Sequence, residues 1–374
     1  MPKLLFRLEY FWRHKIVYPF LKFTIGRPWN ETAIDLRKVR KILFLRHDRI
    51  GDMIVTTPIF RILKQNYPAL KIGVLTAMTN EEIIRHNTSV DSTFILSKNP
   101  LKRIFTFMKI RNEKYDVVVN FIFNKTTSIA ILLRLIAKES STVGQGDKKY
   151  RFYFDRYCTL PRSSDFMVKL LAEMMNRIFL LAIQEQDLNY EIVIDPQSRR
   201  EVELFLSENN LQLKTSIQRS NYIVFNLSAV DNERKICVDQ VRAIVSFLAH
   251  SKGYRIILVT APDDTAMQKH AQMLCTSPQC ILFLKRGYGS LLQLAALIEN
   301  ASAVLTPDTS IIHFASAMKT PVIGFFTPLQ DTREWLPFHV RYTYVMAESN
   351  KSVSEIPTQR LLEELDRFLL EAMN

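Results

Sequence analysis

Glycine is scarce in this chain, with nine in 374 residues. None of them builds a G-x-G-x-x-G fingerprint or a Walker loop, and Gly287-Tyr288-Gly289 is too short for either. Both motifs need glycine so that backbone can approach a phosphate closely. Their absence argues against a dinucleotide oxidoreductase and against a P-loop enzyme. Cysteine is scarcer: Cys158, Cys237, Cys275 and Cys280 are scattered, and no C-x-x-C occurs. That pattern excludes the usual zinc modules and leaves free thiols in a reducing cytoplasm as the expectation. Long apolar runs are missing too. The best candidate, Ile129–Ala137, is interrupted by Arg134 and falls short of the roughly 18 residues a bilayer span takes. The N-terminus lacks an uninterrupted apolar stretch and a small-residue cleavage site, so no signal peptide is expected.

Acid is the minority charge. Formal net charge is +13, with 47% hydrophobic and 23% charged residues, a globular balance whose length suggests two domains. Residues 1–41 hold ten Lys or Arg against Glu9, Glu31 and Asp35. A basic surplus suits nucleic acid, anionic lipid or a phosphorylated substrate. No zinc-finger, aromatic-glycine RNA-binding or basic-zipper pattern accompanies it, so nucleic acid is not expected. Leu4, Leu5, Leu8, Phe11, Trp12 and Ile16 approximate one helical stripe. Such a helix either lies in a membrane interface or packs on the protein's own core.

Strand and helix patterns alternate through the rest. Lys71–Thr76, Ser92–Leu96 and Asp116–Phe121 read as strands, with helical spacing at 80–86, 101–111, 127–137 and 166–182. Residues 138–165 read as irregular, and the basic-aromatic run 148–153 as either an acceptor-side or a solvated loop. Asp195-Pro196 marks a joint. Strands at 222–227, 255–260, 281–284, 303–305 and 321–325 then alternate with helices at 199–209, 239–250, 264–274, 290–300 and 311–318. Thr358–Leu369 reads as a closing amphipathic helix. Two α/β halves about a joint predict two parallel sheets and a cleft between them. The division is a basic extension at 1–40, domains at 41–195 and 196–350, and a closing segment at 351–374.

The stretch Lys41–Pro68, KILFLRHDRIGDMIVTTPIFRILKQNYP, holds the most chemistry. An apolar strand, Ile42–Leu45, feeds a tight segment and then a helix. Thr57-Pro58 resembles an N-cap followed by proline at the first helical position, although the helix could begin as early as Gly51. Asp52 therefore stands at the carboxyl end of a strand, where open α/β sheets bind ligands. It is either a helix-capping carboxylate or a catalytic one.

R-H-D-R-I-G-D-M-I-V-T-T-P resembles the first motif of glycosyltransferase family 9, the bacterial heptosyltransferases of lipopolysaccharide core synthesis. A second stretch, AVLTPDTSIIHFASAMKTPVIGFFTP at 303–328, resembles the family signature through Asp308, Thr309, His313, Thr320-Pro321 and Pro328, with Ser310 replacing the usual glycine. The resemblance covers roughly residues 41–330. It implies a GT-B architecture: two Rossmann-like domains facing each other across a cleft, acceptor mainly on the first and nucleotide sugar mainly on the second. It makes Asp52 the catalytic base, with Asp48 as rival, and places Arg46, Asp48 and Gly51 on the acceptor side. Lys235 would neutralise the leaving diphosphate. Ser228, Asp264, Asp308, Thr309, Ser310 and His313 would line the donor, an ADP-sugar. With no D-x-D in the chain, no metal and no cofactor are expected. The implied reaction is inverting transfer of a heptose from ADP-heptose to an anionic lipopolysaccharide-type acceptor, by a cytoplasmic enzyme that residues 1–41 could hold at the inner membrane. A same-fold transferase of another sugar, a GT-B sugar epimerase and a non-catalytic membrane-surface binding protein are the alternatives.

Overall fold

The structure is a computed structural model; it describes residues 11–28, 30–123, 126–146, 148–161, 164–214, 220–275, 278–283, 290–328 and 332–373. The expected stripe residues Leu4, Leu5 and Leu8, Gly287–Gly289 and the end of the 281–284 strand lie outside these.

The first half runs α1 (Tyr18–Ile25), β1 (Lys41–Arg46), α2 (Ile50–Asn66), β2 (Lys71–Ala77), β3 (Ser92–Leu96), α3 (Pro100–Asn112), β4 (Val117–Asn120), α4 (Thr126–Ile136), β5 (Ser141–Gln145), β6 (Arg156–Cys158) and α5 (Met167–Phe179). The second runs α6 (Pro196–Glu208), β7 (Tyr222–Asn226), α7 (Val238–Ser246), β8 (Arg255–Val259), α8 (Thr265–Leu274), β9 (Cys280–Leu282), α9 (Leu291–Glu299), β10 (Ala303–Pro307), α10 (Ile311–Met318), β11 (Val322–Phe326), β12 (Tyr342–Met346) and α11 (Thr358–Met373). Among the described residues these strands make two six-stranded sheets, ordered β3-β2-β1-β4-β5-β6 and β12-β11-β10-β7-β8-β9. Every pairing is parallel. Counted from β7, the second order repeats the first. Each sheet therefore has its switch point between its first and fourth strands, β1/β4 and β7/β10, the position where doubly wound sheets bind ligands.

Burial on both faces explains the unbroken apolar strands. In β1, Ile42 and Phe44 join an apolar cluster that also holds α2 and α5 and continues, without a break, into Tyr222 and Val224 of β7 and the helices α9 and α10. Leu43 and Leu45 point the other way, beneath α3 and α4. In the second sheet Ile223 and Phe225 face away from the seam, against α7 and α11. The two halves thus share a middle layer. At its centre α2 packs on α10. Polar straps cross it as well: Leu291 N–H donates to Glu82 at 3.0 Å, and Lys319 donates to Asn189 Oδ1 at 2.9 Å.

The structure departs from several expectations. Of the two expected starts, the earlier one, Gly51, holds to within a residue: helix α2 begins at Ile50 rather than at Thr57-Pro58, and Pro58 lies inside it. Proline removes the N–H that would bond Ile54. The Thr57 hydroxyl takes that carbonyl instead, at 2.7 Å. Residues 80–86 form only a short 3-10 turn, Glu81–Ile84. The 138–165 stretch is not an irregular loop: it supplies β5, a 3-10 turn at Lys148–Tyr153 and edge strand β6. Tyr153 of the basic-aromatic run and the following Phe154 are buried beneath α4, so they serve packing. The segment before β1 is sewn to that same edge. Arg27 donates to Ser140 O at 2.9 Å and pairs with Asp155 at 3.2 Å, and Arg156 donates to Thr32 O at 2.8 Å.

Candidate active site

Two corners of the fold carry the chemistry. The first lies where β1 gives way to α2. Asp52 stands in the first helical turn, where a carboxylate is favoured by the unpaired N–H groups and the helix dipole. Beneath it lies Arg46, the last residue of β1, with no exposed surface. Its guanidinium reaches Asp52 Oδ1 at 3.0 Å and Asp48 Oδ2 at 3.2 Å, and donates to the carbonyls of Asp52 and Phe121 at 2.9 and 2.6 Å. A buried cation is costly unless it is paired and fully hydrogen-bonded, and this one is. The arrangement fixes the strand end, the turn and the first helical turn together. Asn80 closes the corner, donating to the carbonyls of Arg46 and Arg49. Arg46, expected on the acceptor side, therefore lies under the site and orients Asp52. Both aspartates keep part of their side chains exposed, and among the described residues Asp52 Oδ2 accepts no hydrogen bond.

The second corner is built from the ends of β7 and β10. Asn226 Nδ2 donates to Ser228 O, Thr306 Oγ1 and Thr309 Oγ1 at 3.1, 3.0 and 3.2 Å, tying the loop after one strand to the turn after the other. Ser228 Oγ donates to Asp264 Oδ2 at 2.9 Å and accepts from Ala261 N–H. Asp264 also caps α8, accepting from Met267 N–H. Asp308 pairs with Arg234 at 2.9 Å, and the same guanidinium reaches the Asp308 carbonyl at 3.3 Å. Thr309 and Ser310 remain half-buried at the start of α10. A helix N-terminus with its free N–H groups suits a diphosphate.

Arg234 is the residue that sequence reasoning missed. It precedes Lys235 in N-E-R-K, and the only available signal was that adjacency. Lys235 is half-buried at the end of a 3-10 turn, and among the described residues it makes no ion pair.

His313, expected to line the donor, is buried. It is 4% exposed and sits in the seam, edge-on to Tyr190 and Trp335 with ring centroids 6.0 and 5.8 Å away. Burial pushes its pKa down to about 4, so the ring is neutral. Its Nδ1 has no hydrogen-bond partner among the described residues. Its Cδ2 lies 2.7 Å from where a Cβ on Gly51 would stand, and Ser310 Cα lies 3.6 Å from the same point. Gly51 is glycine because the other half of the molecule occupies its side-chain space. That contact brings the Asp52 corner against the 308–310 turn. Of the expected residues, Asp52, Asp48, Thr309, Ser310 and Asp308 thus gather at the facing strand ends, with Ser228 and Asp264 beside them. Among the described residues no cluster of three His, Cys, Asp or Glu could hold a metal ion, and no helix is long and apolar enough to cross a membrane.

The chain matches the family model for glycosyltransferase family 9 (heptosyltransferase) over residues 104–363. It belongs to that family. The match covers most of the chain and includes the second motif but not the first. Lipopolysaccharide heptosyltransferase 3 of Escherichia coli is 26% identical over 292 residues, which is 74% of this chain and 80% of that protein. A family 9 glycosyltransferase from Veillonella parvula superposes with a TM-score of 0.74 at 19% identity, covering 91% of this chain and 99% of the other. The E. coli heptosyltransferase WaaC with ADP gives 0.66 at 17% identity, covering 89% and 99%. These place the chain among glycosyltransferases of two-domain GT-B fold.

Proposed function

We propose that the protein is an inverting heptosyltransferase that moves a heptose from ADP-heptose to a hydroxyl of an anionic lipopolysaccharide core acceptor. The observation that carries this reading is the Asp52 carboxylate, held by buried Arg46 at a helix start that touches the 308–310 turn. Support comes from the names of relatives: an E. coli lipopolysaccharide heptosyltransferase and an E. coli heptosyltransferase solved with ADP.

In this reading the diphosphate lies at the N-terminus of α10, with Thr309 and Ser310 beside it. Asp52 takes the proton of the acceptor hydroxyl as general base. The hydroxyl oxygen bonds to the anomeric carbon while the bond to the diphosphate oxygen breaks, so the configuration inverts through an oxocarbenium-like state. Positive charge near the leaving group acts most strongly in the transition state, where that charge has grown. Arg234 secures Asp308, and Lys235, next in the chain, makes no ion pair among the described residues. The reaction needs no divalent metal here, and the acceptor is met at the cytoplasmic face of the inner membrane.

The test incubates the purified full chain with ADP-heptose and a delipidated core oligosaccharide and follows the acceptor's mass. A heptose increment and released ADP, unaffected by EDTA, support the reading. No product with ADP-heptose, but product with another nucleotide sugar, would assign a different donor.

A further inference from the structure

We propose that the outer face of the first half docks on an anionic phospholipid bilayer, with α3 as its main contact. Leu101, Ile104, Phe105 and Met108 recur at helical spacing, a pattern that ordinarily marks a core-facing stripe. Here the stripe faces solvent: the four side chains are 54–68% exposed. Within α3 only Ile110 is buried, and Phe107 is half-buried, so this helix rests on the sheet by its second half. The cations Lys98, Lys102, Arg103, Lys109 and Arg111 flank the stripe, all exposed, and no acid occurs between Lys98 and Asn112.

The surface continues sideways. Helix α4 packs beside α3 and shows Ile131 and Leu135 with Arg134. Helix α1 packs on α4 and shows Phe20 and Phe23 with Lys22. Leu21, Phe107 and Ile129 meet in one cluster beneath, so the three helices cover the same side of the first sheet. The described residues of α1, α3 and α4 include no acid; Glu113, paired with Lys41, follows α3, and Glu139 follows α4.

Charge selects the partner. A second copy of this chain would set five cations against five. A neutral apolar partner would leave them without counter-charge. An anionic bilayer takes both components, since apolar side chains enter the acyl boundary while Lys and Arg meet phosphate groups. The inference rests on the proposed lipid-borne acceptor for its purpose, but its test is independent of catalysis.

The experiment measures co-sedimentation of the full chain with phosphatidylglycerol vesicles and with phosphatidylcholine vesicles. The wild type should bind the first at least tenfold more tightly. Phe105→Glu, and separately Lys102→Glu with Lys109→Glu, should each weaken that binding about tenfold or more. Both variants alter exposed side chains, so their melting temperatures and their transfer to a delipidated acceptor should be unchanged. Undiminished vesicle binding in both variants overturns the proposal. So does equal binding to phosphatidylcholine, or a wild-type dimer that Phe105→Glu dissolves, which would make a second copy the partner. Vesicle binding with no transfer to the soluble acceptor would instead count against the heptosyltransferase reading.

Discussion

Gly51 and His313 occupy one space from opposite halves of the molecule: a Cβ at position 51 would stand 2.7 Å from the imidazole Cδ2. The ring cannot retreat freely, because Tyr190 and Trp335 flank it. Gly51→Ala should therefore cost about 1–3 kcal/mol by overpacking, read as a lower denaturant midpoint, and should slow transfer by displacing Asp52. Adding His313→Ala should recover part of the loss, giving a non-additive double-mutant cycle. Additive losses would mean that the two residues do not meet in solution.

Asp52→Asn keeps the side chain's shape and removes its basicity. Turnover should fall by about 10² or more, the worth of general-base catalysis, with ADP affinity little changed. Asp48→Asn should cost less. If the larger loss follows Asp48→Asn, the base is Asp48, the other carboxylate on the same guanidinium.

Arg46→Lys retains the charge but not the planar fork that serves two carboxylates and two carbonyls. Breaking a buried ion pair costs about 3–5 kcal/mol, so thermal unfolding should come well below the wild type. Turnover should drop as well, because Asp52 loses its support. An unchanged melting curve would show that lysine satisfies the corner.

At the donor corner, Lys235→Ala should weaken ADP binding and slow transfer, as loss of a cation beside a diphosphate implies. Arg234→Ala should act through Asp308, loosening the 308–310 turn and lowering stability together with affinity. Calorimetry with ADP and a melting curve for each variant separate the two roles. Equal ADP affinity in wild type and Lys235→Ala returns that lysine to the solvent.

The buried imidazole of His313 makes stability fall with acid. Its pKa is pushed down to about 4, whereas an unfolded chain's histidine titrates near 6.5. Between those values the unfolded state binds the extra proton. Its contribution is thus complete above about pH 6.5 and erodes by at most about 1.4 kcal/mol per pH unit on the way down to about pH 4. His339 is depressed too, by its partial burial and by Lys319, so the wild-type slope is a sum. His313→Leu isolates the larger part: denaturant midpoints between pH 4 and 7 should vary less in the variant.

The long apolar strands were legible because burial on both faces leaves a plain signal, and β2 and β3 lie within a residue of their expected bounds. Strands β5 and β6 were not. Ser141–Gln145 has one branched apolar residue, and Arg156–Cys158 is three residues long at an edge. Tyr342–Met346 is another edge strand and only partly buried. Thr57-Pro58 misled because local capping chemistry and helix-interior repair use the same hydroxyl, and tertiary context decides which. The positions of Asp52 and the 308–310 turn could be read from strand-turn-helix patterning. That His313 fills the space above Gly51, and that Arg234 rather than Lys235 holds Asp308, depend on contacts between distant segments, which spacing does not encode.

Thr57 has one more consequence. Its oxygen also accepts from the Glu191 N–H at 2.9 Å, and Arg61, one turn further along α2, donates to the carbonyls of Asp187 and Asn189. The chain entering the second half is therefore bolted to the helix whose first turn bears Asp52. A loop free at both ends lets two lobes drift. This connection instead sets the phase between them, so the distance from Asp52 to the 308–310 turn is fixed partly by a backbone amide remote from both.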